Sequence, residues 1–148
     1  MTLIYLDGLN GINYHRLMTP FIRMKEEDGL QIHFIDNFNE LKEFDLSKVK
    51  NLVGSRRFSV SNHKAFKQYL VDNDVKLILD NDDYWKLPKD NPAYKYYKNH
   101  QSKDIKASIA IADEIWSPSS YLVEIMKEIN PSAVYRVIPN TIQQPERK

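Results

Sequence analysis

The chain has 148 residues, of which 42% are hydrophobic and 28% are charged, and its formal net charge is +1. This length suits one domain with a substantial core, and the balanced charge excludes a general attraction to nucleic acid or anionic membranes, so any binding must be local. The absence of cysteine excludes disulfides and thiolate metal sites. The N-terminus is too soon acidic for a signal peptide, and no apolar run approaches membrane-spanning length, so we expect a cytoplasmic protein.

Short apolar runs alternate with amphipathic stretches along the chain. Pro20 lies inside the first helical pattern, so that helix is expected to start or kink there. Ser61 or Asn62 is expected to cap the second helix, and Ser117 the last one, with Pro118 in its first turn. Residues 37–48 are ambiguous. The predicted elements are a strand over 3–6, a helix over 19–27, strands over 31–35 and 51–54, a helix after 62 with Phe66, Tyr69 and Leu70 on one face, a strand over 75–79, a long helix after 90–92, a strand over 114–116, a helix over 118–129 and a strand over 134–138.

Strands that alternate with helices predict right-handed crossovers and a parallel sheet. We therefore expect a doubly wound, mostly parallel α/β sheet with helices on both faces over residues 1–140, followed by a linker or tail over 141–148. Ligands of such sheets bind at the carboxyl ends of the strands. The rule places five loops along one edge, over residues 7–14, 54–57, 80–85, 117–120 and 139–140.

The most distinctive candidate site is acidic. Asp80, Asp82 and Asp83 directly follow the apolar run of the fourth predicted strand. Carboxylates this close repel one another, so their grouping indicates hydrogen-bond donors, a cation or a ligand nearby. A haloacid-type phosphatase or a phosphoacceptor receiver domain would need acids after the first strand, so both are excluded by placement. Three interpretations stay open: a divalent metal site, loop capping, and recognition of substrate hydroxyls or base chemistry.

Three other regions carry weaker signals. The first loop has two glycines, Gly8 and Gly11, between a strand and a helix, which suits either a phosphate or a plain turn. Arg56 and Arg57 follow the third strand and could meet a phosphate or an acidic acceptor, although an exposed surface pair is favoured. The stretch 94–106 interleaves tyrosines and lysines, which indicates either a solvated helix face or contact with nucleic acid or with a lipid-linked acceptor at a membrane.

Four segments together resemble the N-terminal domain of retaining glycosyltransferases of the GT-B fold, of the family 4 type. Residues 11–16 with Pro20 resemble the Gly-x-x-Tyr-Tyr-Arg...Pro opening of that domain, and residues 79–88 resemble its strand-Asp-x-Asp-Asp...Leu-Pro segment. Residues 112–122 are similar to its Ala-Asp, hydrophobic, Ser/Thr, then helix segment. Residues 137–142 are similar to the hydrophobic-Pro-Asn strand end that leaves the domain. The order and spacing of the segments agree over nearly the whole chain.

The resemblance implies a Rossmann-like, acceptor-side domain of an enzyme that transfers a hexosyl group from a nucleotide-sugar to a glycan or lipid-linked acceptor. In such enzymes a second, C-terminal domain with a Glu-x(7)-Glu segment holds the nucleotide-sugar, and that segment is not among these residues. The domain alone is therefore expected to be inactive, because positioning of the donor supplies much of the catalysis. No metal and no other cofactor is implied, and the expected partners include no nucleic acid but do include peripheral contact with a membrane.

The resemblance also assigns residues to roles. Asp82 and Asp83 would bind acceptor hydroxyls or assist the transfer as catalytic residues, and Trp85 could also stack on a sugar ring. The full set of predicted substrate-binding residues is Gly11, Tyr14, Arg16, Asp80, Trp85 and Asn140, the last at the interdomain hinge. Two alternatives remain: a non-enzymatic α/β binding or assembly module, and a metal-dependent hydrolase that uses the Asp80, Asp82 and Asp83 cluster.

Overall fold

The computed structural model describes residues 1–8 and 10–140, except for the side chain of His100, so the predicted tail over 141–148 lies outside the described residues. Six strands are found in this part of the chain: β1 (Thr2–Tyr5), β2 (Ile32–Ile35), β3 (Asn51–Ser55), β4 (Lys76–Asp80), β5 (Glu114–Ser117) and β6 (Val134–Val137). The α-helices are α1 (Thr19–Glu27), α2 (His63–Asp72), α3 (Tyr94–Tyr96), α4 (Ser102–Ile111) and α5 (Ser120–Lys127). Asn13–Met18 and Tyr97–Gln101 are π-helical, and Phe38–Glu43 and Leu46–Lys48 are 3-10 turns.

All six strands are parallel and lie in the order β2-β1-β3-β4-β5-β6. This confirms the predicted α/β Rossmann-like fold. The chain winds outward from β1 to β2, returns across β1 to β3, and then winds in the opposite direction to β6. The loops after β1 and β3 therefore leave the sheet at its topological switch point, where parallel sheets open a crevice at their carboxyl edge.

Side chains of the strands alternate between two cores, one on each face of the sheet. The larger core holds Leu52, Leu77 and Ile115 beneath α2, α4 and α5. The smaller core holds Ile4, Val53 and Ile78 beneath the π-helical turn and α1, which contribute Leu17 and Phe21. The first helical segment thus covers one face, and the later helices cover the other.

The first helix resolves the question raised by Pro20. A π-helical turn over Asn13–Met18 runs directly into α1, and Pro20 lies in the first turn of α1. The amide of Thr19 donates to the carbonyl of Tyr14, one residue further back than in an α-helix. This wider turn precedes a residue that has no amide hydrogen to donate, which is a common cause of local departure from α-helical geometry.

The predicted caps are partly confirmed. The side chain of Asn62 accepts a hydrogen bond from the Ala65 amide at 3.0 Å and so caps α2. For α5 the prediction of Ser117 was wrong, because Ser117 ends β5 and Ser119 caps the helix by accepting from the Leu122 amide. The predicted helix over 118–129 accordingly shortens to Ser120–Lys127, with Pro118 outside it.

Two further expectations needed correction. Tyr69, predicted on the buried face of α2, is 40% exposed, whereas Leu70 is fully buried. The long helix predicted after 90–92 begins at Tyr94, but it is not continuous and is divided into α3, a π-helical turn and α4. The ambiguous stretch over 37–48 forms the two 3-10 turns, the first opened by a capping box between Asn37 and Glu40.

Candidate functional site

Asp80, the last residue of β4, is held by Arg16 from the π-helical turn before α1. Arg16 Nε donates to Asp80 Oδ2 at 2.7 Å, and Arg16 Nη2 donates to Asp80 Oδ1 at 2.5 Å. The side chains are only 10% and 2% exposed, respectively. This is a two-point contact between a planar guanidinium and a carboxylate, the geometry that makes such pairs strong and directional.

Asn140 completes a cluster with these two residues. Arg16 Nη1 donates a hydrogen bond to Asn140 Oδ1, just beyond the end of β6. The structure therefore brings together three of the predicted substrate-binding residues, which come from the first, second and fourth of the segments named above. We call Arg16, Asp80 and Asn140 the paired cluster.

The ionisation of the paired cluster follows from burial and hydrogen bonding. Burial raises the pKa of the Asp80 carboxyl, and the hydrogen bonds and charge of Arg16 oppose that rise. The hydrogen bond to Asp80 raises the pKa of Arg16, so its guanidinium stays protonated at any working pH. Asp80 directs both carboxylate oxygens at Arg16, and its main contribution to the site is to orient that cation.

The paired cluster forms the polar wall of a cavity of about 700 Å³. Phe21 and Trp116 lie on its apolar side with nearly parallel rings, 6.3 Å apart between centroids. The remaining lining residues are His15, Pro20, Met24, Ile138 and Pro139. A cavity with stacked aromatic rings on one side and a charged, hydrogen-bonding wall on the other suits a ligand with both apolar faces and hydroxyl groups. We call it the aromatic cavity.

Asp82, predicted as catalytic, differs from Asp80 in having an oxygen without a hydrogen-bond partner. Its Oδ1 is buried and has no hydrogen-bond partner among the residues that the structure describes. Burial raises the pKa of Asp82, and the charges of Asp83 and Asp80 raise it further, while Arg56 opposes the rise. The charge of Asp82 also raises the pKa of Arg16, so this carboxylate acts on cations of both Arg16 and Arg56. It can accept a hydrogen bond or a proton.

Asp83, the second predicted catalytic residue, is more exposed. Its side chain is 55% exposed, and Asp83 Oδ2 lies 3.5 Å from Arg56 Nη2. A pair at that exposure is screened by solvent and contributes little to stability. Asp83 therefore balances the charge of Arg56 at the rim of the site.

A small crevice of about 140 Å³ lies at the switch point between β1 and β3. Arg57 Nε donates to Asp7 Oδ2 at 2.9 Å, and Arg56 Nη2 donates to Tyr97 Oη at 2.6 Å. The hydroxyl of Ser55 is buried and has no hydrogen-bond partner among the described residues. The lining residues are Asp7, Asn10, Asn13, Ser55, Arg56, Arg57 and Gln101. We call this opening the switch-point crevice.

The prediction that Arg56 and Arg57 form an exposed surface pair was wrong. Their side chains are only 20% and 24% exposed and are bound to named partners, so they are not a solvated surface pair. Arg56 also has a positive φ of 62°, which costs a residue with a Cβ roughly 1 kcal/mol. The available signal was their position directly after β3, at the edge where ligands bind.

The other predicted residues are placed differently. Gly11 is exposed, and a Cβ at this position would meet nothing within 4 Å. Tyr14 is 52% exposed, packs edge-on against His15 and lines neither the aromatic cavity nor the switch-point crevice. Trp85 is 1% exposed within the larger core, so the expectation that it could stack on a sugar needs correction: its ring anchors the loop after β4.

The three acids after β4 do not converge. Asp80 faces Arg16, and Asp83 faces Arg56. Over residues 1–8 and 10–140, no group of three or more histidine, aspartate or glutamate side chains is arranged to hold a metal ion. The geometry thus gives no support to the metal-dependent hydrolase. In the same part of the chain, no helix has the length and apolar character needed to cross a membrane.

Comparisons with protein-family models, with curated proteins and with solved structures found no match. What the site does must therefore follow from its own residues.

Proposed function

We propose that this chain is the acceptor-binding domain of a retaining, GT-B-type glycosyltransferase. The observation that carries the proposal is the paired cluster: three residues separated by up to 124 positions meet at the wall of one cavity. Each of them belongs to a different segment of the resemblance. Any doubly wound sheet brings these loops to one edge, and the direct hydrogen bonds among the three residues are a further agreement with the resemblance.

The aromatic cavity has the chemistry that a sugar acceptor requires. The rings of Phe21 and Trp116 can cover the apolar C–H face of a pyranose. The guanidinium of Arg16, which Asp80 orients, and the side-chain amide of Asn140 can donate to its hydroxyls. The cavity lies at the carboxyl edge of a parallel sheet, where such folds bind their ligands.

In this proposal Asp82, which lies two residues beyond Asp80 and does not itself line the aromatic cavity, would act on an acceptor hydroxyl that extends from the cavity toward the loop after β4. The side chain is partly exposed, and its Oδ1 has no hydrogen-bond partner among the described residues, so the carboxylate can accept a hydrogen bond from a hydroxyl. Burial and the neighbouring acids raise its pKa toward the range in which a carboxylate works as a base. Asp83 and Arg56 set the local charge. The nucleotide-sugar would be held by a second domain, so this chain by itself is expected to bind acceptor without transferring sugar.

Binding of labelled protein to an array of immobilised glycans tests the proposal, with calorimetry on the glycans that bind. We expect Asp82→Asn to weaken binding of those glycans about 10- to 100-fold, the loss of one hydrogen bond to a charged group. Asp72→Asn, the same change on the exposed end of α2, is the matched control and should leave binding unchanged. Failure of every glycan to bind, or equal binding by Asp82→Asn, would contradict the proposal.

Transfer is separated from binding by an assay of the longest natural product of the gene with labelled nucleotide-sugars. Glycan binding without transfer in that product would favour the non-enzymatic binding module over the transferase.

A further inference from the structure

A groove of about 630 Å³ lies between the loop after Asp83 and the helix over residues 94–111. Its lining includes five exposed lysines, Lys86, Lys89, Lys98, Lys103 and Lys106, and no carboxylate. The whole chain has a net charge of only +1, so this groove concentrates positive charge at one place. We call it the lysine groove.

The charges of the lysine groove are not compensated from within the described residues. Five other lysines of the chain pair with carboxylates: Lys48, Lys50, Lys67, Lys76 and Lys127. No ion pair to any of the five groove lysines is found in residues 1–8 and 10–140. The nearest acid along the same helix, Asp104, lies instead toward Arg57 at 3.6 Å. Gathering like charges costs free energy, so the arrangement suits an anionic partner.

The groove also has apolar and aromatic residues between its charges. Leu87, Pro88 and Tyr94 line it beside the buried Trp85, and the hydroxyl of Ser102 donates to the Trp85 carbonyl at 2.9 Å, which ties the loop to the helix. The lining residues on the helix, at 94, 98, 102, 103 and 106, follow spacings of three and four positions and so share one face. The Nζ atom of Lys98 lies 5.7 Å from the centroid of the Tyr94 ring.

We infer that the lysine groove docks this chain on a membrane surface that contains anionic phospholipids. Lysine stems can cover apolar surface while their ammonium groups reach phosphates, and tyrosine favours the boundary between the apolar and hydrated layers. A single-stranded nucleic acid would use the lysines and could stack a base on the ring of Tyr94, but it would gain little from the aliphatic side chains of Leu87 and Pro88. The apolar lining is therefore the reason to choose a lipid surface over a nucleic acid.

This surface lies next to the site already described. The π-helical turn that links α3 to α4 contributes Tyr97, which accepts a hydrogen bond from Arg56, and Gln101, which lines the switch-point crevice. A lipid surface docked at the lysine groove would therefore lie against a neighbouring side of the same helix that borders the crevice. If the proposed transferase function holds, this favours a lipid-linked acceptor over a soluble glycan, although the docking itself does not depend on that function.

Cosedimentation with vesicles tests the inference, using phosphatidylcholine alone and phosphatidylcholine partly replaced by phosphatidylglycerol. The chain should bind only the anionic vesicles, and added salt should weaken the binding. Removing three lysine charges with K98Q/K103Q/K106Q should weaken it about 100-fold, since each lysine contributes about fivefold near an anionic surface.

The matched control removes three charges elsewhere. Lys25, Lys42 and Lys64 are exposed, and K25Q/K42Q/K64Q has the same net charge as the groove variant. The control should keep nearly all of the binding, and circular dichroism should show that both variants are folded. Equal loss in the two variants, or no binding to anionic vesicles, would overturn the inference. So would binding to single-stranded RNA with none to vesicles. These outcomes leave the glycan measurements on Asp82 unaffected, so the two proposals fail separately.

Discussion

Asp80 and Asp82 are two residues apart, yet their carboxylates are used in opposite ways. Asp80 is the last residue of β4, and Arg16 takes both of its oxygens in a buried contact. Asp82 lies in the loop beyond the strand, with one buried oxygen that no described residue bonds. The difference teaches that the carboxylate at the strand end is fixed by its partner Arg16, whereas the carboxylate in the loop keeps one oxygen without a partner among the described residues.

Backbone pairing explains why the side chain of Asp80 is fixed by the sheet and that of Asp82 is not. The Asp80 carbonyl accepts a hydrogen bond from the Arg56 amide at 2.7 Å, and Asp80 is in register with Ser55 of β3 and Trp116 of β5. Strand pairing on both sides fixes where its side chain lies. Among the described residues, Asp82 is paired with no neighbouring strand, since the pairing of β4 ends at Asp80. Its position therefore follows from the loop and from neighbouring charges.

The largest expected effect on stability comes from removing Arg16, the partner of the Asp80 carboxylate. Arg16→Ala leaves the Asp80 charge buried and unpaired, which should lower the free energy of unfolding by about 3–5 kcal/mol. Arg23→Ala in α1 removes an exposed pair with Glu27 at 3.2 Å and should cost less than ~0.5 kcal/mol. Urea denaturation of both variants measures the contrast.

Replacing Arg16 and Asp80 together separates the cost of burying an unpaired charge from the cost of losing the Arg16 side chain. Arg16→Met with Asp80→Leu removes the stranded charge and should recover most of the stability that Arg16→Ala loses. If Arg16→Ala costs no more than Arg23→Ala, the description of Asp80 as a carboxylate fixed by Arg16 is wrong.

A smaller effect is expected at the third member of the paired cluster. Asn140→Ala removes one hydrogen-bond acceptor from Arg16 at an exposed position, which should cost about 0.5–1 kcal/mol in the same urea experiment. Asn99→Ala provides the matched change at an exposed position in the π-helical turn and should be close to neutral. A cost for Asn140→Ala as large as that of Arg16→Ala would show that the cluster depends on Asn140 more than on Asp80.

The smallest effect on stability, and one of opposite sign, is expected for replacement of Asp82. Burial and the charges of Asp83 and Asp80 raise the pKa of Asp82 in the folded protein, so ionising it costs stability. Asp82→Asn should therefore raise Tm by about 1–3 °C at pH 7.

The pH dependence of that gain follows from linkage. Because the folded pKa lies above the unfolded one, the wild-type carboxyl is favourable below about pH 3.9 and loses this advantage as the pH rises through the folded pKa. The gain in Tm from Asp82→Asn should therefore vanish in acid and grow toward neutral pH. Melting curves across that range measure it, with Asp72→Asn as control. A loss of Tm at pH 7 would instead mean that Asp82 stabilises the fold.

The sequence predicts the fold well because periodicity reports burial. Runs such as 76–80 read as strands because they are buried on both faces, and the loops after them must then share one edge. Arg16, Asp80 and Asn140 were found because each belongs to a segment with a recognisable pattern. Their direct bonding was not predictable, since the three lie far apart along the chain.

Other features could not be predicted from the sequence, because two neighbouring residues suited the same role or because tertiary contacts decided the outcome. Ser117 and Ser119 are both acceptable caps, and only the end of β5 decides between them. Trp85 was assigned a possible role in sugar stacking because an aromatic residue in a loop gives no sign of how deeply it is buried. The lysines over 98–106 were visible as a pattern, but Lys86 and Lys89 joined them only through the fold of the loop.

The contrast between the two carboxylates is tested most directly by a pH titration of the side-chain carboxyl ¹³C signals of Asp80, Asp82 and Asp83 by NMR. We predict that Asp82 titrates above the ordinary aspartate value of about 3.9. Asp82→Asn should remove that step without changing the titration of Asp80, whose pKa is set by burial and by Arg16. A midpoint for Asp82 at or below the ordinary value would mean that its carboxylate is already stabilised by partners within the protein, and would contradict its description as the unpaired carboxylate of the site.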